Sequence, residues 1–227
     1  MWAIIKKEFK SYFLSPIGYI YIGVFLLSCS IFFYLYIFTY LSTDFPYMFG
    51  SAATVLTFLT FIVPLLTMRM FAEERKNGTE QLLLTSPRSI TSIVLGKFIA
   101  AALVVLVSVL LTLIYFGILC YFGEPQLAKS LVAILGFALL SIAYVSFGMF
   151  ASSLTENQII AAVISIGFFL LLWFLPGFGT IYLDFSLMDA FYMSFINGTI
   201  GIPNLVLLLT FSALFIILTI IVLQRRK

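Results

Sequence analysis

FIAAALVVLVSVLLTLIYFGILCYF, residues 98–122, runs without a single charged side chain. A helix needs about 20 apolar residues to cross a hydrocarbon core of about 30 Å. The stretch is continuously apolar rather than alternating, so it reads as a spanning helix and not as a barrel strand. Only helices then keep each backbone polar group paired within its own segment. Further apolar runs lie at 17–41, 51–70 (charged only at Arg69, near its end), 131–154, 158–175 and 204–223. Composition agrees: 63% of the 227 residues are hydrophobic and 9% charged, against roughly 45–50% and about 25% in soluble domains. An ordinary soluble enzyme and a disordered regulator are excluded. The expectation is an all-α, polytopic membrane protein, one domain over 1–227 with six transmembrane helices.

The cations orient it. Lys6, Lys7 and Lys10 precede the first run; Arg69 sits at the end of the second, and Arg75, Lys76, Arg88 and Lys97 lie between it and the third; Arg225, Arg226 and Lys227 follow the sixth. Eleven of twelve fall on one side, with Lys129 on the other. The positive-inside bias then predicts both termini in the cytoplasm of a multi-pass inner (plasma) membrane protein and excludes five or seven spans. The first run is too long for a cleaved signal peptide.

Chemistry-bearing patterns are missing. There is no histidine, and the cysteines are Cys29 and Cys120, which argues against a metal site or a disulfide framework. The runs hold almost no ionisable group at mid-membrane, where ion-driven carriers usually need one. Neither a Gly-x-Ser-x-Gly elbow nor a Gly-x-x-x-x-Gly-Lys-Ser/Thr phosphate loop is present. No catalytic residue, metal or cofactor is therefore expected in this chain, and no nucleic-acid partner. Any energy for uphill movement must come from another polypeptide. Thr54, Thr57, Thr60, Ser108, Thr112 and Ser141 read as hydroxyls bonded back to helix carbonyls or used in interhelical packing. Ala138, Ser141, Val145, Gly148 and Ser152 form a small-residue stripe suited to close helix approach, either inside the chain or between protomers. Pro64 is placed to kink the second helix.

Three regions lie outside the runs. In 71–97, Asn77 with Glu80 three residues later reads as a variant capping box, and Pro87 disfavours helix at Ser86. The expectation is a two-turn helix over 78–85, apolar through Leu82, Leu83 and Leu84, lying on headgroups or docking on a protein. Residues 2–15 read as a basic, aromatic-edged interfacial helix, with Trp2, Ile5, Phe9 and Phe13 near one face, broken at Ser15-Pro16. Residues 176–202 are too apolar for a solvated loop. Ser186 with Asp189 resembles a capping box and Asn197-Gly198 a helix stop, giving a short helix over 187–196 in a re-entrant or interfacial region.

Glu74-x-x-x-Gly78-Thr79-Glu80-x-Leu82-Leu83, then Thr85-x-Pro87 and Gly96-Lys97, resembles the signature of ABC-2 type transporter permeases. The N-terminal Lys6-Lys7-Glu8-Phe9-Lys10-Ser11-Tyr12-Phe13-Leu14-Ser15-Pro16 is similar to the same family, nearest its gliding-motility-associated subgroup. The resemblance implies a membrane subunit that exports, driven by a separate ATP-binding cassette subunit holding ATP and Mg. The loop between helices two and three becomes a coupling helix, with Glu74, Gly78, Thr79, Glu80, Leu82, Leu83 and Pro87 as docking residues. Around Thr155-Glu156-Asn157 lies either a smaller contact or a plain turn. The resemblance further implies a second copy or a related permease beside this one, the route running between them. Residues 176–202 would be an outer gate carrying Gly177, Gly179, Asp184 and Asp189. Membrane lipids and an extracytoplasmic auxiliary protein complete the expected partners. Substrates of such permeases range across lipids, polysaccharides, peptides and drugs. Competing expectations are an ATP-independent carrier or channel and a non-transporting membrane scaffold.

Overall fold

A computed structural model describes residues 1–39, 43–50, 58–81, 88–174 and 187–226. Among them no strand occurs. Helix α1 is Trp2–Leu14. Ser15 is extended (φ −92°, ψ 154°), and Pro16 opens α2, Pro16–Phe33, prolonged by a π turn over Tyr34–Phe38. The residue before a proline disfavours α geometry, whereas proline itself suits the first helical position. The elbow is tight: a β-carbon on Gly18 would lie 2.6 Å from the Tyr12 carbonyl oxygen. A short helix α3, Tyr47–Gly50, follows.

Helix α4 joins a π turn, Phe58–Ile62, to an α segment, Val63–Thr67. Pro64 has no N–H to contribute, and the ladder changes type one residue before it. Helix α5 is Ala72–Lys76, α6 is Ile90–Leu111, and α7 is Leu113–Phe122. Helices α8, Leu127–Leu154, and α9, Gln158–Phe174, come next. Helix α10 is Leu187–Ala190 continued by a π turn, Phe191–Ile196, and α11 is Ile202–Gln224.

Four helical stretches are long and apolar enough to cross a membrane by length and composition: Pro16–Ile37, Ile90–Phe122, Leu127–Leu154 and Ile202–Gln224. The run expected at 51–70 is described only from residue 58, and its α segment stops at Thr67 rather than at 70. The run expected at 158–175 is a 17-residue helix.

Helix α8 is the hub. It is the most buried of the four long stretches and α11 the least, and it packs on α4, α6, α9, α10 and α11. The small-residue stripe explains the closeness. A β-carbon on Gly148 of the stripe would collide with the Thr67 hydroxyl; Gly136, outside the stripe, likewise leaves room for the Phe195 ring. Ser141, Val145 and Ser152 are likewise buried inside the chain. At these positions the stripe therefore serves internal packing. Lipid gives helices little hydrophobic reason to associate, so contact packing must do it. Rings supply much of it: Phe147 stacks on Phe168 at 3.8 Å and Tyr144 on Phe169 at 3.9 Å, joining α8 to α9, while Phe215 of α11 meets Phe147 edge-on at 4.8 Å.

Hydroxyls in the spans bond mostly to their own helix. Ser108 donates to the Val104 carbonyl, Thr112 to Val109 and Ser141 to Phe137. The buried Thr60 hydroxyl lies within reach of the Tyr144 hydroxyl of the hub helix. Thr54 and Thr57 lie outside them.

Candidate functional site

Both termini meet at one end of the bundle. Glu8 of α1 and Arg226 beyond α11 both reach the segment 69–81 or its neighbours. The charges of the molecule concentrate there, and the site is built from the turn that follows α4.

The chain leaves helix at Met68 and re-enters it at Ala72. The amides of Phe71 and Ala72 both donate to Ser152 Oγ at 3.1 Å, and that hydroxyl donates to the Met68 carbonyl at 2.9 Å. One serine on the hub helix thus satisfies three backbone groups that a helix break would leave orphaned. The stripe marked Ser152 as small; its capping role depends on a contact some 80 residues distant in sequence, which no local pattern reveals.

Helix α5 carries the charges in dipole order, Glu73 and Glu74 in its first turn, Arg75 and Lys76 in its last. Arg69 holds Glu73 in a two-pronged pair, Nη2 to Oε1 at 2.8 Å and Nε to Oε2 at 2.5 Å. This hydrogen-bonded guanidinium draws the Glu73 carboxyl below the ordinary glutamate value. Glu74 turns inward to Lys97 at 2.8 Å, and Lys97 also holds Glu8 at 3.3 Å. Lys97 is 3% exposed, and its ammonium lies 5.3 Å over the Phe71 ring. Burial raises the Glu74 pKa, with the attraction of Lys97 opposing. A buried lysine between two glutamates ties α1, α5 and α6 together. Gly96 beside it lets α1 press close, since a β-carbon there would lie 2.8 Å from Ile4 Cγ2. Lys97 belonged to the quoted signature, but its two partners, at 8 and 74, come together only in the fold.

Asn77 does not begin a helix. It ends α5, its own amide donating to the Glu73 carbonyl at 3.0 Å. Gly78 follows at φ +70°. The Gly78 amide donates to Arg75 at 3.1 Å and the Thr79 amide to Glu74 at 2.9 Å, the paired bonds of a left-handed C-terminal cap. The expected capping box is therefore corrected: Glu80 does not return to Asn77 but pairs with Arg226 at 3.3 Å and Arg75 at 3.7 Å. Helix resumes at Glu80 and Gln81 rather than at 78. Leu82, Leu83 and Pro87 lie outside the described residues. Glu156, in the turn after α8, meets Arg75 at 2.8 Å.

At the opposite end, Asp189 is exposed in the first turn of α10. Gly177, Gly179, Asp184 and Ser186 lie outside the described residues. Helix α10 is packed rather than solvated: Leu187, Phe191 and Phe195 are buried. Asn204 of α11 donates to the Ser194 hydroxyl. The expected face of α1 is split, Ile5 buried and Trp2 75% exposed.

Among known families, the model described as ABC-2 family transporter protein matches residues 2–227. No curated protein matches the chain.

Proposed function

The chain belongs to the ABC-2 family of transporter proteins, and on that footing we propose that it is the permease subunit of an exporter driven by a separate ATP-binding subunit. Membership together with several long apolar helices makes it a multi-pass membrane protein and a membrane transport component, not itself the ATPase. In this reading the charged end faces the cytoplasm of the inner membrane. The segment 71–97 is the coupling element, with Glu74, Gly78, Thr79 and Glu80 forming its described part and Leu82, Leu83 and Pro87 its continuation.

The observation that carries the reading is the double anchorage of α5. Ser152 fixes its start to α8 and Lys97 fixes Glu74 to α6 and α1. A short helix is marginal alone; this one is tied to three membrane-associated helices, so a displacement imposed on it moves them as well. ATP binding in the partner favours one arrangement of a permease pair, and hydrolysis releases it. The far end closes the route through 176–202, with Gly177, Gly179, Asp184 and Asp189 in the gate. Packing of α10 on the hub, Phe195 against Gly136, supports that role, because movement of α8 reaches it directly.

The test is co-purification with the ATP-binding subunit in mild detergent and stimulation of its ATPase. Glu74→Ala combined with Gly78→Pro is expected to abolish both, while Asp189→Asn leaves both intact. Transport in vesicles at the parental rate by the double variant would sink the coupling role.

A further inference from the structure

Two cavities lie on either side of Ile17 near the charged end. The first, about 230 Å³, lies between α1 and the turn around 69–79, and is lined by Lys7, Ser11, Tyr12, Arg69 and Asn77 among others. The second, about 200 Å³, is an almost wholly apolar groove between α2 and α4. Tyr21 and Leu66 form its buried floor, and Ile20, Val24 and Leu65 its exposed rims. Ile17 lines both spaces. Met68 of the groove is followed in the chain by Arg69 of the polar cavity. From Ile17 to Val24 the groove wall descends about 10 Å at about 1.5 Å per helical residue, which fits inside one leaflet of a core about 30 Å thick.

The polar groups around the upper cavity are unevenly satisfied. Its carboxylates are occupied, Glu8 and Glu74 by Lys97 and Glu73 by Arg69. Donors remain. Lys7 makes no ion pair among the described residues, and neither do its neighbours Lys6 and Lys10. The hydroxyls of Ser11 and Tyr12, and Nη1 of Arg69, find no acceptor there either. The charged lining balances, Lys7, Arg69 and Lys97 against Glu8, Glu73 and Glu74, but the donors left without an acceptor call for an oxygen-rich group. Hydrocarbon rims open to the bilayer call for an acyl chain. A molecule with both, at this depth, is a phospholipid.

We propose that one phospholipid of the adjoining leaflet occupies both spaces, its phosphate among Lys7, Ser11, Tyr12 and Arg69 and one acyl chain in the α2–α4 groove. The site does not depend on the transport reading, because it rests on the two cavities and their donors alone. The lipid lies under the same turn that carries α5, and joins α1 and α2 to α4 where no side-chain ion pair does so among the described residues.

The test uses the full chain in nanodiscs containing phosphatidylglycerol with a photoactivatable group midway along one acyl chain. Labelled peptides are located by mass spectrometry. Labelling is expected to concentrate on 17–24 and 62–68, about tenfold over the lipid-facing residues Leu209, Leu214 and Ile217 of α11, the ratio that about 1.4 kcal/mol of preference gives. Two unrelated variants should remove that excess: Lys7→Gln with Tyr12→Phe strips donors, and Leu65→Trp fills the groove while leaving every charge in place. Thermal melting of each variant confirms that it is folded. Equal labelling of groove and α11 overturns the proposal, as does an excess that survives both variants. Displacement of the label by inorganic phosphate marks a site for the free ion and overturns it too. So does a cross-link through the groove to a second copy of the chain.

Discussion

The tripeptide Asn-Gly-Thr occurs twice, at 77–79 and 197–199, and folds the same way both times. Gly78 stands at φ +70° and Gly198 at φ +77°. Each glycine amide bonds to the carbonyl three residues back, at 3.1 and 3.2 Å, and each threonine amide to the carbonyl five back, at 2.9 and 3.1 Å. Each threonine hydroxyl donates to that second carbonyl at 3.1 Å. The surroundings share nothing. Gly78 has open space where a side chain would stand, whereas Gly198 abuts Lys129, its Cα within 3.2 Å of the absent β-carbon. The first turn ends a five-residue charged helix held by ion pairs; the second ends a buried aromatic helix held by packing. Local sequence therefore dictates the cap, and tertiary context decides what the cap holds in place.

The comparison breaks most sharply at Lys97. Replacing it with Met leaves Glu8 and Glu74 facing each other without a cation, and stripping one partner from a buried pair costs about 3–5 kcal/mol. Both glutamates keep some solvent contact, 18% and 19%, so the lower end applies, about 3 kcal/mol. The expected result, read from chemical unfolding in detergent, is a destabilised charged end with cross-linking between Ser194 and Asn204 positions at the far end unchanged. Equal loosening of both ends would mean that they are not separately held.

Ser152→Ala comes next. It orphans the amides of Phe71 and Ala72 and the carbonyl of Met68, at about 1–3 kcal/mol for a buried group left unpaired. Hydrogen exchange should rise at 68–76 and stay flat at 194–204. Protection of 68–76 equal to the parent's would mean that the serine is not its cap.

The glycines themselves sharpen the comparison. Alanine at either forces a left-handed residue, at roughly 1–2 kcal/mol. Gly198→Ala must also displace Lys129, which pairs with Asp44 at 3.3 Å. Its melting temperature should therefore fall further than that of Gly78→Ala. Equal falls would show that the Lys129 contact yields without resistance.

These pairs also show what could be read from residues alone. The start of α2 at Pro16 and four long spans follow from proline chemistry and from run length, both local quantities. The helix stop at 197–198 was legible as well. The identical stop at 77–78 was not, because Glu80 three residues on offered a second pattern, a helix start, and local rules do not rank the two. The ranking came from Arg226, 146 positions away, which takes the Glu80 carboxylate. The same holds for Lys97 and Ser152: each was conspicuous by type or spacing, yet its role depends on groups brought together by the fold. The end of α4 at Thr67 instead of 70 has the same origin, since the break at 68–71 is stable only because a distant serine satisfies it.

The smallest effect distinguishes the two neighbouring glutamates of the charged end. Glu73 titrates below the ordinary glutamate value because of its bonds to Arg69, and Glu74 above it because of burial, against the pull of Lys97. Linkage gives them opposite signs. The Glu73 contribution is present above the unfolded pKa and is lost as pH falls through its lowered folded value. The Glu74 contribution is fully present below the unfolded pKa and is lost as pH rises through its raised folded value. Glu73→Gln should therefore flatten the stability profile on the acid side of the ordinary glutamate pKa, and Glu74→Gln on the other side, in melts taken from acid to neutral pH. Residues 190–203 contain no carboxylate, so hydrogen exchange at the second Asn-Gly-Thr turn should not respond to either substitution. If both substitutions flattened the same side, burial would not be what sets Glu74, and the charged end would be an open ion-pair network rather than one closed over Lys97.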